Sequence, residues 1–102
     1  MAKWTFKAKD FYALLDRQKY TCPLTGRELR PENTTAAHIV PLRKGGKHEV
    51  GNIYLVVNDL LDIKKNLTDE ELVTLCYDVL KTIGEHHGYS VEKTEIPSAH
   101  RS

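Results

Sequence analysis

The chain has 102 residues, and its fifteen lysines and arginines nearly balance its fourteen aspartates and glutamates, so the formal net charge is +1. This balance excludes overall basic character as a means of binding nucleic acid, and any such binding must come from local patches. An apolar fraction of 40% and a charged fraction of 28% exclude a disordered or fibrous chain.

The first predicted element is an amphipathic helix over about residues 7–19. Phe11, Leu14 and Leu15 fall on one face of such a helix. The following residues, 20–26, mix β-formers with proline and glycine and predict a strand or a turn.

A strand, an exposed loop and a second strand are predicted next. Residues 34–42 are β-prone, residues 43–51 are polar and contain a glycine pair, and residues 52–57 form a second β-rich run. Asn58 and Asp59 are residue types that cap helices, so a helix is expected to begin there.

A long helix is predicted between Thr68 and Gly88. Thr68 and Glu71 have the spacing of a capping box, apolar residues recur at helical spacing after them, and Gly88 is expected to end the run. Residues 1–88 are therefore predicted to form a single domain. The polar residues 89–102 have no periodic apolar face and are predicted to be a C-terminal tail.

Composition also limits the compartment and the cofactors. No apolar run approaches the roughly 18 residues that a membrane span needs, and the first residues lack the apolar segment of a secretory signal, so we expect a cytoplasmic protein with no membrane partner. Cys22 and Cys76 fit no CxxC spacing, so neither a disulfide framework nor a structural zinc is expected. Cys76 is assigned to the core.

Three stretches of the chain form a recognisable pattern. They are CPLTGREL at 22–29, AHIVPLRKGGKHEVGN at 37–52, and a following helix with adjacent lysines. From about residue 8 to residue 85 the chain resembles the HNH endonuclease family. The resemblance implies an α+β fold in which an HNH-type ββα hairpin–helix unit is flanked by an N-terminal helix and a long C-terminal helix.

The chemistry that the resemblance implies is metal-assisted hydrolysis of a phosphodiester bond. In this chemistry His38 is the general base, because an imidazole ordinarily titrates close to neutral pH. Asn52 orients that imidazole or holds the loop in place. Without the family context, His38 would be a strand residue bonded to a neighbouring backbone group, and Asn52 a turn residue.

Three positions depart from the family's pattern of metal ligands. Ala37 replaces the ligand before the base, and Val57 and Leu61 occupy the two ligand positions after the second strand. Their side chains offer no oxygen to a hard divalent cation. A deliberate replacement is another explanation for Ala37.

Two polar residues near Leu61 are the candidate replacement ligands. Asn58 lies about 60° from Leu61 around a helix, and Asp62 lies about 100° from it. If the protein is active, these residues hold a Mg²⁺, Mn²⁺ or Ni²⁺ ion beside the base. If it is inactive, no cofactor is expected.

Five basic residues are the candidate contacts to a nucleic-acid backbone. They are Arg43, Lys44 and Lys47 in the loop, and Lys64 and Lys65 in the following helix. The alternative interpretation is that the loop charges are simply solvated and that the helix lysines favour the helix dipole. His48, in the same loop, is expected to be a surface residue.

These features predict a nuclease-fold domain that engages nucleic acid, with double-stranded DNA as the expected partner and phosphodiester hydrolysis impaired by the loss of metal ligands. Such a domain could serve a larger protein assembly. The alternative is an active metal-dependent endonuclease with His38 as general base and an unusual ligand set. A further alternative is a purely structural domain.

Overall fold

The structure, a computed structural model, describes residues 4–94. Its helices are α1 (Ala8–Arg17), α2 (Leu61–Lys64) and α3 (Asp69–Ile83), and its strands are β1 (Thr34–His38) and β2 (Ile53–Val57). The predicted α+β class is confirmed, with one antiparallel hairpin and helices before and after it. Contacts divide the chain into two compact units, with the boundary between Leu72 and Val73.

Helix α1 packs its predicted apolar face on β2. Leu14 and Leu15 are buried, and Phe11 packs against the same core. Immediately after the helix, the Gln18 side chain reaches the backbone of β2: its Nε2 donates to the Leu55 carbonyl at 3.0 Å, and its Oε1 accepts from the Leu55 N–H at 2.8 Å. The amide of Gln18 therefore continues the hydrogen bonding of the hairpin at its outer edge.

The hairpin has a fixed register, in which His38 pairs with Ile53 and Thr34 pairs with Val57. All five residues of β2 are buried. Since consecutive strand residues point to opposite faces, both faces of β2 are covered, and this explains its uninterrupted apolar sequence. The core contains Leu14, Leu15, Cys22, Leu29 and the whole of β2.

The segment after β2 differs from its prediction. A 3-10 turn, Asn58–Leu60, precedes a single turn of α-helix in α2, and no side chain caps either one. The Asn58 amide instead donates to the Glu32 carbonyl at 3.4 Å, and Asp59 pairs with Arg27 at 3.4 Å. The predicted capping role of Asn58 and Asp59 is therefore wrong.

Helix α3 begins as its sequence predicts. The Glu71 N–H donates to the Thr68 hydroxyl at 3.2 Å and the Thr68 N–H donates to the Glu71 carboxylate at 2.9 Å, which is a capping box. A 3-10 turn, Gly84–His87, follows the helix, and Gly88 takes a left-handed φ of 87° that ends it.

The apolar residues of α3 after Leu72 are solvent-exposed rather than buried. Leu75, Val79 and Ile83 are each between 44% and 48% exposed. Cys76 is also exposed, so its assignment to the core is wrong. Within residues 4–94, no helix is both long and apolar enough to cross a membrane. Most of the predicted tail, 89–102, lies outside the described residues.

Candidate nucleic-acid interface at His38

A cavity of about 250 Å³ lies where the end of β1 meets α2. Ala37 and His38 line it from the strand, and Leu61, Asp62 and Lys65 line it from the helix and the residue after it. This cavity therefore brings together the predicted base, two of the apolar replacements and one of the candidate metal ligands.

His38 is half-buried and its ring has a partner that the sequence did not reveal. Its Nε2 lies 2.9 Å from Nδ1 of His48, a hydrogen bond in which either ring can be the donor. The Trp4 ring packs against His48, and the centroids of the two rings are 4.9 Å apart. His48, which the sequence predicted only as a surface residue, therefore positions the ring of His38, the predicted base.

The environment of His38 favours its neutral form. Burial lowers the pKa of the imidazole, and the positive charges of His48 and Lys64 lower it further. A neutral imidazole can accept a proton, which is the property that a general base needs.

The side-chain amide of Asn52 holds the loop that connects the strands, residues 39–52. Its Oδ1 accepts from the Val40 N–H at 2.9 Å, and its Nδ2 donates to the carbonyls of Val40 at 3.0 Å and Lys47 at 2.8 Å. Of the two roles expected for Asn52, the structure therefore supports the one in which it fixes the loop.

The adjacent glycines Gly45 and Gly46 are required in the loop for different reasons. Gly45 takes a left-handed φ of 95°. Gly46 has no such φ, but a Cβ at this position would lie 1.8 Å from the Val40 carbonyl oxygen. Gly46 therefore permits its backbone to approach that of Val40 closely, and the hydrogen bonds of Asn52 stabilise this arrangement.

Lys64 is a buried anchor. The residue is 1% exposed, and its Nζ donates to the carbonyls of His38, Ile39 and Leu67 at 3.1, 3.0 and 2.7 Å. An ammonium group has three N–H donors, so these acceptors use all of them. Burial lowers the pKa of Lys64, and the carboxylates of Asp69 and Glu71 oppose that shift.

This placement corrects the expectation for Lys64. An ammonium that is enclosed and fully bonded has no donor left for a phosphate, so Lys64 is removed from the candidate nucleic-acid contacts. The sequence pattern could not separate it from Lys65, because adjacent residues on a helix differ by about 100° in direction and either could be the buried one.

The remaining four basic residues are at the surface. Arg43 and Lys47 are exposed and, within residues 4–94, neither forms an ion pair. Lys44 pairs with Glu71, which ties the loop to the start of α3. Lys65 is exposed at the cavity.

The hairpin register separates the candidate metal ligands. Val57 pairs with Thr34, four residues from His38 along β1, a distance of about 14 Å at the usual rise of a strand. Val57 is a core residue, and Asn58 follows it at that far end of the hairpin. The expectation that Asn58 joins Asp62 as a ligand beside His38 is therefore wrong, as is the interpretation of Val57 as a lost ligand.

The residues at the cavity do not fit a hard divalent cation. Asp62 supplies one carboxylate, whereas Ala37 and Leu61 supply only methyl and methylene groups and Lys65 supplies a positive charge. Mg²⁺ takes oxygen ligands, so this lining is a poor match for it. In the part of the chain that the structure describes, no group of three or more His, Cys, Asp or Glu side chains is placed to hold a metal.

Comparison with known proteins adds no assignment. No family model matches the chain, and no curated protein matches it significantly.

Proposed function

We propose that this chain is an HNH-type nuclease-fold domain that binds double-stranded DNA and whose phosphodiester hydrolysis is impaired. The observation that carries the proposal is the position of the His38 imidazole. It lies in an open cavity at the end of β1, directly beside a loop that presents exposed basic side chains.

The internal hydrogen bonds of the loop support a role in binding. Asn52 makes three hydrogen bonds inside the loop, and the Lys44–Glu71 pair fastens the loop to α3. Arg43 and Lys47 are exposed on a backbone that these contacts hold in one shape, which lowers the entropy that binding would cost. Such preorganisation favours contact with a regular array of phosphates.

The composition of the cavity supports impaired hydrolysis. A metal-assisted reaction needs ligands that hold the cation at the scissile phosphate. Ala37 and Leu61 face that space with hydrocarbon, and Asn58 is at the other end of the hairpin. His38 can accept a proton there, but the lining offers little to position the cation.

The test is duplex DNA binding measured by fluorescence anisotropy over a series of salt concentrations. The double variant Arg43→Gln/Lys47→Gln should bind about tenfold more weakly, and the slope of log affinity against log salt should fall by about 1.8. The matched control is Arg17→Gln/Lys81→Gln, which removes two exposed charges of helices α1 and α3 that are not part of the loop sequence, and it should leave both quantities unchanged. Equal losses in both variants would refute a site at the loop.

A second candidate function is active, metal-dependent cleavage with His38 as general base. It is favoured by one observation, which is that the carboxylate of Asp62 lines the same cavity as His38. A plasmid nicking assay across Mg²⁺, Mn²⁺, Ni²⁺ and Zn²⁺ decides between the two. Metal-dependent nicking that disappears in His38→Ala establishes the enzyme, whereas DNA binding without nicking under every metal supports the impaired form.

A further inference from the structure

The facing nitrogens of His38 and His48 are separated by a distance that two ligands of one metal ion can have. Two nitrogens bound to a single ion at about 2.05 Å and at 90° to each other are about 2.9 Å apart, and in tetrahedral geometry they are about 3.3 Å apart. The observed separation between His38 Nε2 and His48 Nδ1 is 2.9 Å. The backbone therefore already brings the two nitrogens to the spacing that a right-angled pair of ligands requires.

We propose that His38 Nε2 and His48 Nδ1 form a two-histidine site for a divalent transition-metal ion of the Ni²⁺ or Cu²⁺ type. Imidazole nitrogen is a preferred ligand of these ions, whose tetragonal sites place neighbouring ligands at right angles. Two protein ligands leave the other coordination positions open to water or to a phosphate oxygen. Mg²⁺ and Ca²⁺, which prefer oxygen ligands, are excluded by the same chemistry.

When both rings are neutral, binding requires a small rearrangement without a net change in protons. In the metal-free pair, one of the two facing nitrogens carries the proton that joins the rings. On metal binding this proton moves to the other nitrogen of the same ring, both facing nitrogens become lone-pair donors, and both rings turn towards the ion. His48 is in an exposed loop and can make this turn.

The surroundings of the pair are suited to holding it together. The Trp4 ring lies against His48, and the carbonyl of His38 accepts a hydrogen bond from the buried Lys64. Among the other histidines, His86 and His87 are adjacent in a 3-10 turn, and adjacent helical residues point in different directions. They are therefore a natural control.

This inference goes beyond the proposed function and does not rest on it, since metal binding is measured without nucleic acid. It also bears on hydrolysis. A His38 whose Nε2 ligates a metal cannot accept a proton at that atom, so occupancy of the site would itself oppose the role of His38 as a base.

Trp4 provides the readout, because it is the single tryptophan of the chain and contacts His48. Titration of the folded, metal-free protein with Ni²⁺ should quench Trp4 fluorescence in a saturable, one-to-one manner, because the ion has an open d shell. Zn²⁺, with its filled d shell, should reverse the quenching by competition. Mg²⁺ should have no effect.

The variants decide whether the pair is the site. His48→Asn should weaken the Ni²⁺-dependent quenching by at least about tenfold, and His38→Asn should do the same. The matched control His86→Gln/His87→Gln/His100→Gln removes the other three histidines of the chain and should keep the full titration.

His48→Asn is decisive even if His38→Asn fails to fold, since His48 is an exposed loop residue whose replacement should leave the circular dichroism spectrum unchanged. The proposal is overturned if the folded protein shows no saturable quenching, if His48→Asn titrates like the original, or if the triple histidine control loses the effect. None of these outcomes depends on whether the protein binds DNA.

Discussion

The core beneath β2 and the loop that joins the two strands are stabilised by different kinds of interaction. Beneath β2, apolar side chains from α1 and the strand exclude water, and their packing has no charge in it. At the loop, the same two strands are held by an ammonium group and an amide, Lys64 and Asn52, that bond to backbone carbonyls. The core fixes which residues pair, whereas the polar anchor fixes the shape of the loop beside His38.

This division leads to distinct consequences for mutations in each region. A change in the core should lower the stability of the whole unit, whereas a change in the anchor should act first on the loop. Four substitutions test the distinction, each with a matched residue elsewhere in the chain.

Leu55→Ala should have the largest effect. Leu55 is fully buried in the middle of β2, and loss of its side chain leaves a cavity, so the free energy of unfolding should fall by about 3 kcal/mol. Chemical denaturation measures the change. Val73→Ala, at a position that is 66% exposed, should change stability by less than about 0.5 kcal/mol. A small effect of Leu55→Ala would contradict the assignment of the core.

Lys64→Met should lower stability by about 2 kcal/mol, because it leaves three carbonyls without their donor inside the protein. Hydrogen exchange should also accelerate at the Gly46 amide, which donates to the Pro41 carbonyl within the loop. The control Lys65→Met removes an exposed neighbour and should affect neither measurement. If Lys64→Met were as stable as the original protein, the anchor would have no energetic role.

Gly46→Ala should lower stability by about 1–2 kcal/mol, because its new methyl group would overlap the Val40 carbonyl and the loop would have to shift. Gly51→Ala is the control in the same loop, where a Cβ meets no atom within 4 Å. Thermal unfolding compares them. Equal unfolding midpoints for the two variants would show that the loop accommodates the added methyl group without loss of stability.

Tyr54→Phe should have the smallest effect, about 1 kcal/mol at neutral pH, from loss of the hydrogen bond that the Tyr54 hydroxyl donates to Asp69. Burial raises the pKa of Tyr54, and the bond to Asp69 and its charge raise it further. The unfolded chain therefore loses this proton first, and the stabilising contribution of the bond declines progressively as the pH rises above about 10.

The free energy of unfolding, measured below and above about pH 10, tests the direction of this pH dependence. The stability of the original protein should fall more steeply with rising pH than that of Tyr54→Phe, and the exposed Tyr12→Phe should follow the original curve. A steeper fall in Tyr54→Phe would contradict the direction of the shift.

The hairpin and both flanking helices could be predicted from the sequence because each depends on a local pattern. The capping box of Thr68 and Glu71 and the continuous apolar run of β2 are such patterns. The prediction of a helix beginning with a cap at Asn58 failed because the chain forms a 3-10 turn there, and Asn58 is drawn to the Glu32 carbonyl instead.

The site was only partly predictable because its geometry depends on contacts distant in sequence. Spacing along a helix suggested that Asn58 would lie near His38, but the strand register places it at the far end of the hairpin. The role of His48 had one available signal, its place in the loop that returns past His38, but nothing in its neighbours indicated which way its ring turns. The burial of Lys64 likewise depends on carbonyls of β1 and of the residues that follow it.

The bond between Gln18 and Leu55 has a consequence for how copies of this protein behave at high concentration. A strand at the edge of a sheet presents N–H and C=O groups that can pair with a strand of another molecule, the first step towards aggregation. Here a side-chain amide occupies both groups of Leu55 at the centre of β2. The side chain of Gln18 thus blocks these two backbone groups from pairing with a strand of another molecule.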